Sequence, residues 1–254
     1  MTEPTVIAHR GFAGVFPENT VAAFCGAADR GADMVELDVQ PTADGDVVVF
    51  HDRELDALTD GSGVVWEQST GDVTAARVLE TEQRVPTLAA VLDGLPAGVG
   101  VNIELKNPGS EAIRPGAALD GTDRERARER WAPFVESVLA VTDRFDRDPL
   151  FSSFCEGALA ALSTRDPTAA RAVLVAPNCA DQAATVARRY GVDAIHPPVE
   201  QCGPEAPVDW AAVVAELDAS LNVWTVTEWL AARTAVRGGA DGLIADYPGL
   251  GHDR

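Results

Sequence analysis

Two short stretches of the chain carry charged side chains at alternate positions. ELDV at 36–39 holds Glu36 and Asp38, and ELK at 104–106 holds Glu104 and Lys106. In extended chain, residues two apart share a face, so each pair points one way. Neighbouring carboxylates repel, and one of them keeps its proton unless a cation sits between them. Three carboxylates without a cysteine suit a hard cation such as Mg2+ or Ca2+. The alternative is a structural network in which these acids pair with arginines. His9-Arg10 and His51-Asp52 add two imidazoles, a guanidinium and a carboxylate able to orient the second ring. Together they are the parts for general acid–base chemistry at a phosphorus centre, with the planar guanidinium fork matched to phosphate oxygens. Lys106 is the only lysine in the chain. A compact ammonium there meets an anion or neutralises the carboxylates.

These residues stand at the ends of short apolar runs. Runs near 5–9, 34–39, 100–105, 149–153, 172–176, 193–196, 221–226 and 242–245 read as strands. The stretches 19–30, 86–94, 124–142, 156–164, 179–190, 208–218 and 228–237 read as helices between them. Asn19-Thr20 and Asp123 mark helix starts. Gly31, Gly191 and Gly239 follow helices, where a left-handed cap is favoured. Eight strands with intervening helices in 254 residues predict an α/β fold, a (β/α)8 TIM barrel, which carries its chemistry at the C-terminal strand ends. A doubly wound sheet alternates the same elements and is the structural alternative. A further run, Val47-Val48-Val49-Phe50, follows the second strand across PTADGD. That spacing suits a hairpin, because a parallel crossover needs more chain. Ser152-Ser153, His196 and Trp224-Thr225 place further polar groups at strand ends.

Composition sets the outer limits. A chain of 254 residues, 46% hydrophobic, is read as one domain over 1–254. It carries 40 acidic against 20 basic side chains, a net charge of −20. Such a surface repels itself in dilute buffer, and the repulsion is screened near 1 M salt, where the Debye length is about 3 Å. With a single lysine, the chain reads as that of a salt-loving organism. No basic face is available to neutralise a nucleic acid. No apolar run approaches the roughly 20 residues that span a bilayer. MTEPT has neither the basic nor the apolar region of a secretory signal. The expectation is a cytoplasmic protein without membrane insertion, its oligomeric state open. Cys25, Cys155, Cys179 and Cys202 lack CxxC spacing and read as free thiols.

In order along the chain, HRG at 9–11, PENT at 17–20, ELDV at 36–39, HD at 51–52, PTL at 86–88, ELK at 104–106, WTV at 224–226 and DGLIADYP at 241–248 resemble the glycerophosphodiester phosphodiesterase family. The resemblance runs from residue 6 to 248. It implies a TIM barrel with a short insertion after the second strand, here about 40–85. It implies a metal-dependent hydrolase that cleaves a small glycerophosphodiester to glycerol phosphate and an alcohol. Carried over by position, it implies His9 and His51 as the general acid–base pair. Glu36, Asp38 and Glu104 become ligands of a divalent cation, Mg2+ or Ca2+ with Mn2+ a third candidate. Arg10 and Lys106 become phosphate contacts, and Trp224 an aromatic wall beside the glycerol or the leaving group. Glu18 and Asn19 match residues that back the site or cap a helix.

Two departures stand out. Thr227 occupies a position where the family usually has Asn. The stretch 107–130 is longer than the minimum connection after ELK, with a loop over about 107–123. That loop reads either as a lid or as a solvated excursion. Competing functions are phospholipase D-like or lyase action on a lipid phosphodiester, and a non-catalytic barrel that binds phosphate esters. A binder, however, has no need of two titrating histidines.

Overall fold

The apolar runs fold into one sheet. The computed structural model describes residues 3–203 and 206–251; Met1 and Thr2 of the MTEPT stretch lie outside them. The strands are β1 (Thr5–His9), β2 (Met34–Pro41), β3 (Val47–Val49), β4 (Gly100–Leu105), β5 (Leu150–Ser153), β6 (Arg171–Leu174), β7 (Ala194–His196), β8 (Ser220–Val226) and β9 (Gly242–Ala245). Eight of them run parallel in the order β1-β9-β8-β7-β6-β5-β4-β2, and β1 also pairs with β2. That last pairing, His9 opposite Glu36, closes the ring. The fold is a (β/α)8 TIM barrel, and an open doubly wound sheet is excluded. β3 lies outside the ring, antiparallel to β2, as the hairpin spacing predicts.

The helices are α1 (Val21–Asp29), α2 (Thr70–Ala75), α3 (Leu88–Gly94), α4 (Gly121–Thr142), α5 (Glu156–Arg165), α6 (Ala180–Tyr190), α7 (Trp210–Leu217) and α8 (Trp229–Arg237). One start follows expectation and one differs. Thr20 caps α1, its side chain accepting from the Ala23 amide, which frees Asn19 for other work. α4 begins before Asp123, because Asp120 accepts from both the Thr122 and Asp123 amides. α2, six residues inside the insertion and capped by Ser69, is too short to show a helical period. Gly191 ends α6 in the left-handed region, as expected.

Period-two alternation sorts each strand. On β2, Val35, Leu37 and Val39 face outward to a core shared with Phe24, Leu88, Trp131 and Val135. Glu36, Asp38 and Gln40 alternate with them and face the opposite side. Fully burying each such apolar side chain contributes about 1.5–3 kcal/mol, so the strand is pinned in this register and its acids are forced inside. The insertion has its own small core of Val48, Phe50, Leu55, Val65, Val73 and Val85. The connection after β4 is tied down: the Gly116 amide donates to the Phe154 carbonyl at 2.8 Å, and Arg53 of the insertion donates to Glu111 at 2.6 Å. All four cysteines are free. Among the described residues, no helix is long and apolar enough to cross a membrane.

Candidate active site

Closing the ring brings β1, β2 and β4 side by side, with Asp38 opposite Glu104 and Glu36 opposite Asn102. Residues in register on parallel strands point to the same side. Glu36, Asp38 and Glu104 therefore converge inside the barrel, buried, each offering an oxygen within 4.8 Å of the others. Alternate spacing in the sequence already places Glu36 with Asp38, and the register adds Glu104.

Two cations face the three acids. The Lys106 ammonium lies 3.1 Å from Glu104 and 3.5 Å from Asp38. Burial alone would discharge it, but Glu104 and Asp38 more than compensate and raise its pKa. Arg10 donates through Nη1 to Glu18 at 2.8 Å, and its Nε lies 3.3 Å from Asp38. Its backbone amide donates to Glu36 at 3.1 Å. Arg10 is thus a brace for the carboxylates while still lining the cleft. Asn19 closes on Asp38 from behind, donating to Oδ2 at 2.9 Å and accepting the Asp38 amide at 3.3 Å. Of the PENT pair, Glu18 braces Arg10, Asn19 braces Asp38, and neither caps the helix.

The acids respond unequally. Burial opposes the charge on Asp38, but Lys106, Arg10 and His51 outweigh it and hold this carboxyl well below the usual range. Burial pushes Glu36 well above the usual range, and Asp38 and Glu104 push it further. Glu104 is raised to about 7 by burial, with Lys106 pulling down and Asp38 pushing up. Two fixed cations do not neutralise three buried carboxylates, and the shortfall appears as raised pKa values at Glu36 and Glu104. All-oxygen donors, convergent and short of positive charge, fit a divalent cation of the Mg2+ or Ca2+ type.

The histidines flank this cluster. His9 Nδ1 lies 2.7 Å from Asp246 Oδ1, and His51 Nδ1 lies 2.7 Å from Asp52 Oδ1. Each carboxylate accepts a hydrogen bond when Nδ1 carries the proton, and in that tautomer Nε2 is left as the free acceptor of a neutral ring. Burial lowers the His51 pKa; Asp38 raises it, and Lys106 and Arg10 lower it further.

Both rings line a cleft of about 280 Å³ with Arg10, Glu36, Glu104 and Lys106. Its apolar lining is Phe154, Leu174, Trp224 and Ile244. Trp224 is fixed by donating to the His196 carbonyl at 2.7 Å and by an edge contact with Phe154, ring centroids 5.5 Å apart. The 107–120 stretch contributes none of these walls. A larger cleft of about 640 Å³ beside α7 and α8 is lined by Cys202, Trp210 and Arg237. Among the described residues it has no histidine and no carboxylate cluster, so size alone does not locate the chemistry.

Some strand-end groups fall elsewhere. Ser152 and His196 are fully buried and stay out of the cleft. His196 contacts the Asn222 amide at 3.1 Å, and burial lowers its pKa to about 3. Thr227 is exposed, and Thr225 lines the cleft in its neighbourhood. Asp246, Phe154 and Asn102 belong to the site without having been singled out in the sequence. For Asp246 the signal was present: it follows the last strand within DGLIADYP, and β9 pairs with β1.

Comparison with known proteins agrees with this geometry. The glycerophosphoryl diester phosphodiesterase family matches residues 9–250. A glycerophosphodiester phosphodiesterase of Bacillus altitudinis is 32% identical over 254 residues, covering 96% of this chain and 94% of that protein. The Bacillus subtilis protein YhdW matches over a shorter stretch, 42% identical over 117 residues, which is 42% of this chain and 46% of that protein. In fold, the chain resembles a phosphodiesterase of Oleispira antarctica solved in complex with the product sn-glycerol-3-phosphate. The TM-score is 0.76 at 24% identity, covering 96% of this chain and 94% of that one. The barrel, the family match across nearly its whole length and the full-length relative lead to one conclusion: the chain belongs to the glycerophosphoryl diester phosphodiesterase family and is an enzyme that hydrolyses glycerophosphodiesters.

Proposed function

We propose that the cleft cleaves small glycerophosphodiesters to glycerol phosphate and a free alcohol, with Glu36, Asp38 and Glu104 holding a divalent cation and His9 and His51 moving the protons. The observation that carries this reading is the triad of buried carboxylates within 4.8 Å of one another, flanked by two carboxylate-held histidines. Mg2+ or Ca2+ suits the site, with Mn2+ a third candidate; when bound, the cation polarises a phosphoryl oxygen and offsets charge developing on it. Lys106 and Arg10 supply fixed positive charge at the phosphate. One imidazole takes a proton through Nε2 from the nucleophile, either water or the neighbouring glycerol hydroxyl, and the other gives one to the leaving alcohol; where the glycerol hydroxyl attacks, water then opens the cyclic phosphate to glycerol phosphate. The ring of Trp224, set against Phe154, covers the carbon skeleton of the glycerol or the leaving group. A protein of net charge −20 repels an anionic substrate at long range, so attraction is confined to this cluster. A salt-rich cytoplasm is the compartment such a surface suits.

The test is hydrolysis of glycerophosphocholine, glycerophosphoethanolamine and glycerophosphoglycerol in about 2 M KCl, which screens surface repulsion. Each is run with Mg2+, Ca2+, Mn2+ or EDTA. Glycerol phosphate is expected with a cation, is lost in EDTA, and falls sharply in His9→Ala. A folded protein that releases none from any of the three overturns the reading.

One observation favours a second reading, phospholipase D-like cleavage of a lipid phosphodiester. Val15 (42% exposed), Trp229 (51%), Leu230 (69%) and Tyr247 (42%) are large exposed apolar side chains. They follow β1, β8 and β9 at the barrel end where the cleft opens. Faster turnover of micellar lysophospholipid than of glycerophosphocholine would shift the assignment there.

A further inference from the structure

Asn102 is an inward-facing polar residue of the cleft that the chemistry above leaves unused. It sits on β4, two residues before Glu104 and in register with Glu36, and it lines the cleft. Its exposure is 0%. Neither Nδ2 nor Oδ1 has a hydrogen-bond partner, and among the described residues no other buried side chain leaves two polar atoms orphaned. Both ends are orphaned, so the point does not depend on which way the amide is turned. A buried amide without partners is costly, and native proteins rarely tolerate one unless something binds it.

The surroundings narrow what that something is. The cleft that Asn102 lines is also lined by the apolar Leu174 and Ile244 and by Glu36 and Glu104, with Glu36 in register with Asn102. Arg10 Nε, also orphaned, is a donor only and lies against Asp38. Asn102 Oδ1 is therefore a neutral acceptor without a protein donor, on a residue in register with Glu36 and two positions before Glu104.

We propose that Asn102 anchors the cation site from the barrel side, its amide oxygen accepting a hydrogen bond from a water of the cation's hydration shell. This inference rests on the cation reading of Glu36, Asp38 and Glu104. Mg2+ takes about six ligands and releases water reluctantly, so three carboxylates leave it partly hydrated. Water on a divalent cation is a strong donor, and one lying in this cleft beside the buried Asn102 needs an acceptor. A neutral amide supplies it without adding a fourth negative charge. Partners that hold a metal's ligands in this way typically account for 10–100-fold in affinity.

The experiment is calorimetric titration of the full chain with Mg2+ and with Mn2+, without substrate, in about 1 M KCl to screen surface charge. Wild type is compared with Asn102→Leu, which fills the space without an acceptor, and with Asn102→Asp, which keeps the acceptor oxygen. Asn102→Leu is expected to bind either cation 10–100-fold more weakly. Asn102→Asp is expected to bind at least as tightly as wild type. Near-UV circular dichroism verifies the fold, and Asn102→Ala gives the same readout if leucine is not accommodated. Wild-type affinity in a folded Leu or Ala variant overturns the proposal, as does an equal loss in Leu and Asp. Cation-dependent hydrolysis with unchanged affinity in Asn102→Leu defeats the role of Asn102 alone. A wild type that binds no cation defeats the cation reading, and this inference with it.

Discussion

Two buried acid clusters in this barrel are built to opposite charge balances. Glu156, in the first turn of α5, is a lone carboxylate whose side chain is 0% exposed. It accepts from the Leu119 amide, from Arg189 and from the Tyr190 hydroxyl, and Arg124 approaches to 4.0 Å. One acid is met by two guanidiniums and two neutral donors. At Glu36, Asp38 and Glu104, three acids share two cations. The Glu156 cluster is complete within the protein, and it ties the end of the 107–120 connection to α5 and α6. The strand-end cluster is short of positive charge, so the pKa values of Glu36 and Glu104 are raised. Burial of a carboxylate does not separate structure from function here; the local count of charges and donors does.

The largest expected effect breaks the comparison in both directions at once. Glu156→Ala leaves two arginines and a backbone amide without their shared partner. It is expected to cost about 3 kcal/mol, the low end for a broken buried pair because both guanidiniums keep some water. That lowers Tm by roughly 6–12 °C for a domain of this size, while turnover of the folded protein stays near wild type. Glu104→Gln removes a carboxylate that burial penalises. It is expected to raise Tm in EDTA at pH 8 and to lower kcat/KM about 100-fold or more. Thermal melts and steady-state kinetics on both variants decide it. A Glu104→Gln protein that is both less stable and fully active would remove the distinction.

The same contrast separates what was legible in the sequence from what was not. ELDV and ELK expose their geometry locally, since a period of two places alternate residues on one face and needs nothing else. The barrel was legible from strand and helix counting, and the eight-stranded ring followed. Contacts made by ring closure were not legible. Asp246 meets His9 from 237 positions away, and only the β1–β9 pairing explains why. Glu156 looked like an ordinary first-turn acid, because its donors come from α4, α6 and the loop before α4. Asp123 was read as the start of α4, but the amides of Thr122 and Asp123 are taken by Asp120, three residues earlier. Glu18 and Asn19 were visible as a motif, but their separate partners, Arg10 and Asp38, required the fold.

Asp246 and Asp52 sharpen the comparison, being a third use of an acid: partly exposed, each is given to a single imidazole. Asp246→Asn keeps a side chain of the same shape but removes the charge that steadies a protonated His9. In the acid–base role proposed for it, His9 would contribute about 10²–10⁴-fold, and losing its orienting partner is expected to forfeit roughly 10–100-fold of that. The loss should fall on kcat, with cation affinity unchanged in calorimetry because Asp246 is no part of the carboxylate triad. A drop in cation affinity equal to the drop in kcat would place Asp246 in the metal cluster and merge the two roles.

The smallest effect is a pH slope, and its sign is fixed by the direction of the shifts. Glu104 in the folded chain titrates at about 7, against a usual 4.5. Between those values the folded state keeps a proton that the unfolded state has released. Stability in EDTA therefore falls as pH rises from about 4.5 to about 7 and levels off above, by an amount on the order of 1–3 kcal/mol. Glu36, raised in the same direction, adds to the slope. Asp38, held low, contributes stability that is lost only in stronger acid. Glu104→Gln should flatten the slope in part, leaving the share of Glu36, while Glu156→Ala should leave it intact. A saturating cation should abolish it, because binding needs the carboxylates deprotonated, and affinity should rise up to about tenfold per pH unit for each proton displaced. Melts at half-unit steps from pH 5 to 8, with and without Mg2+, measure all of this. A wild type that gains stability across the window in EDTA would mean that the strand-end acids are as fully compensated as Glu156.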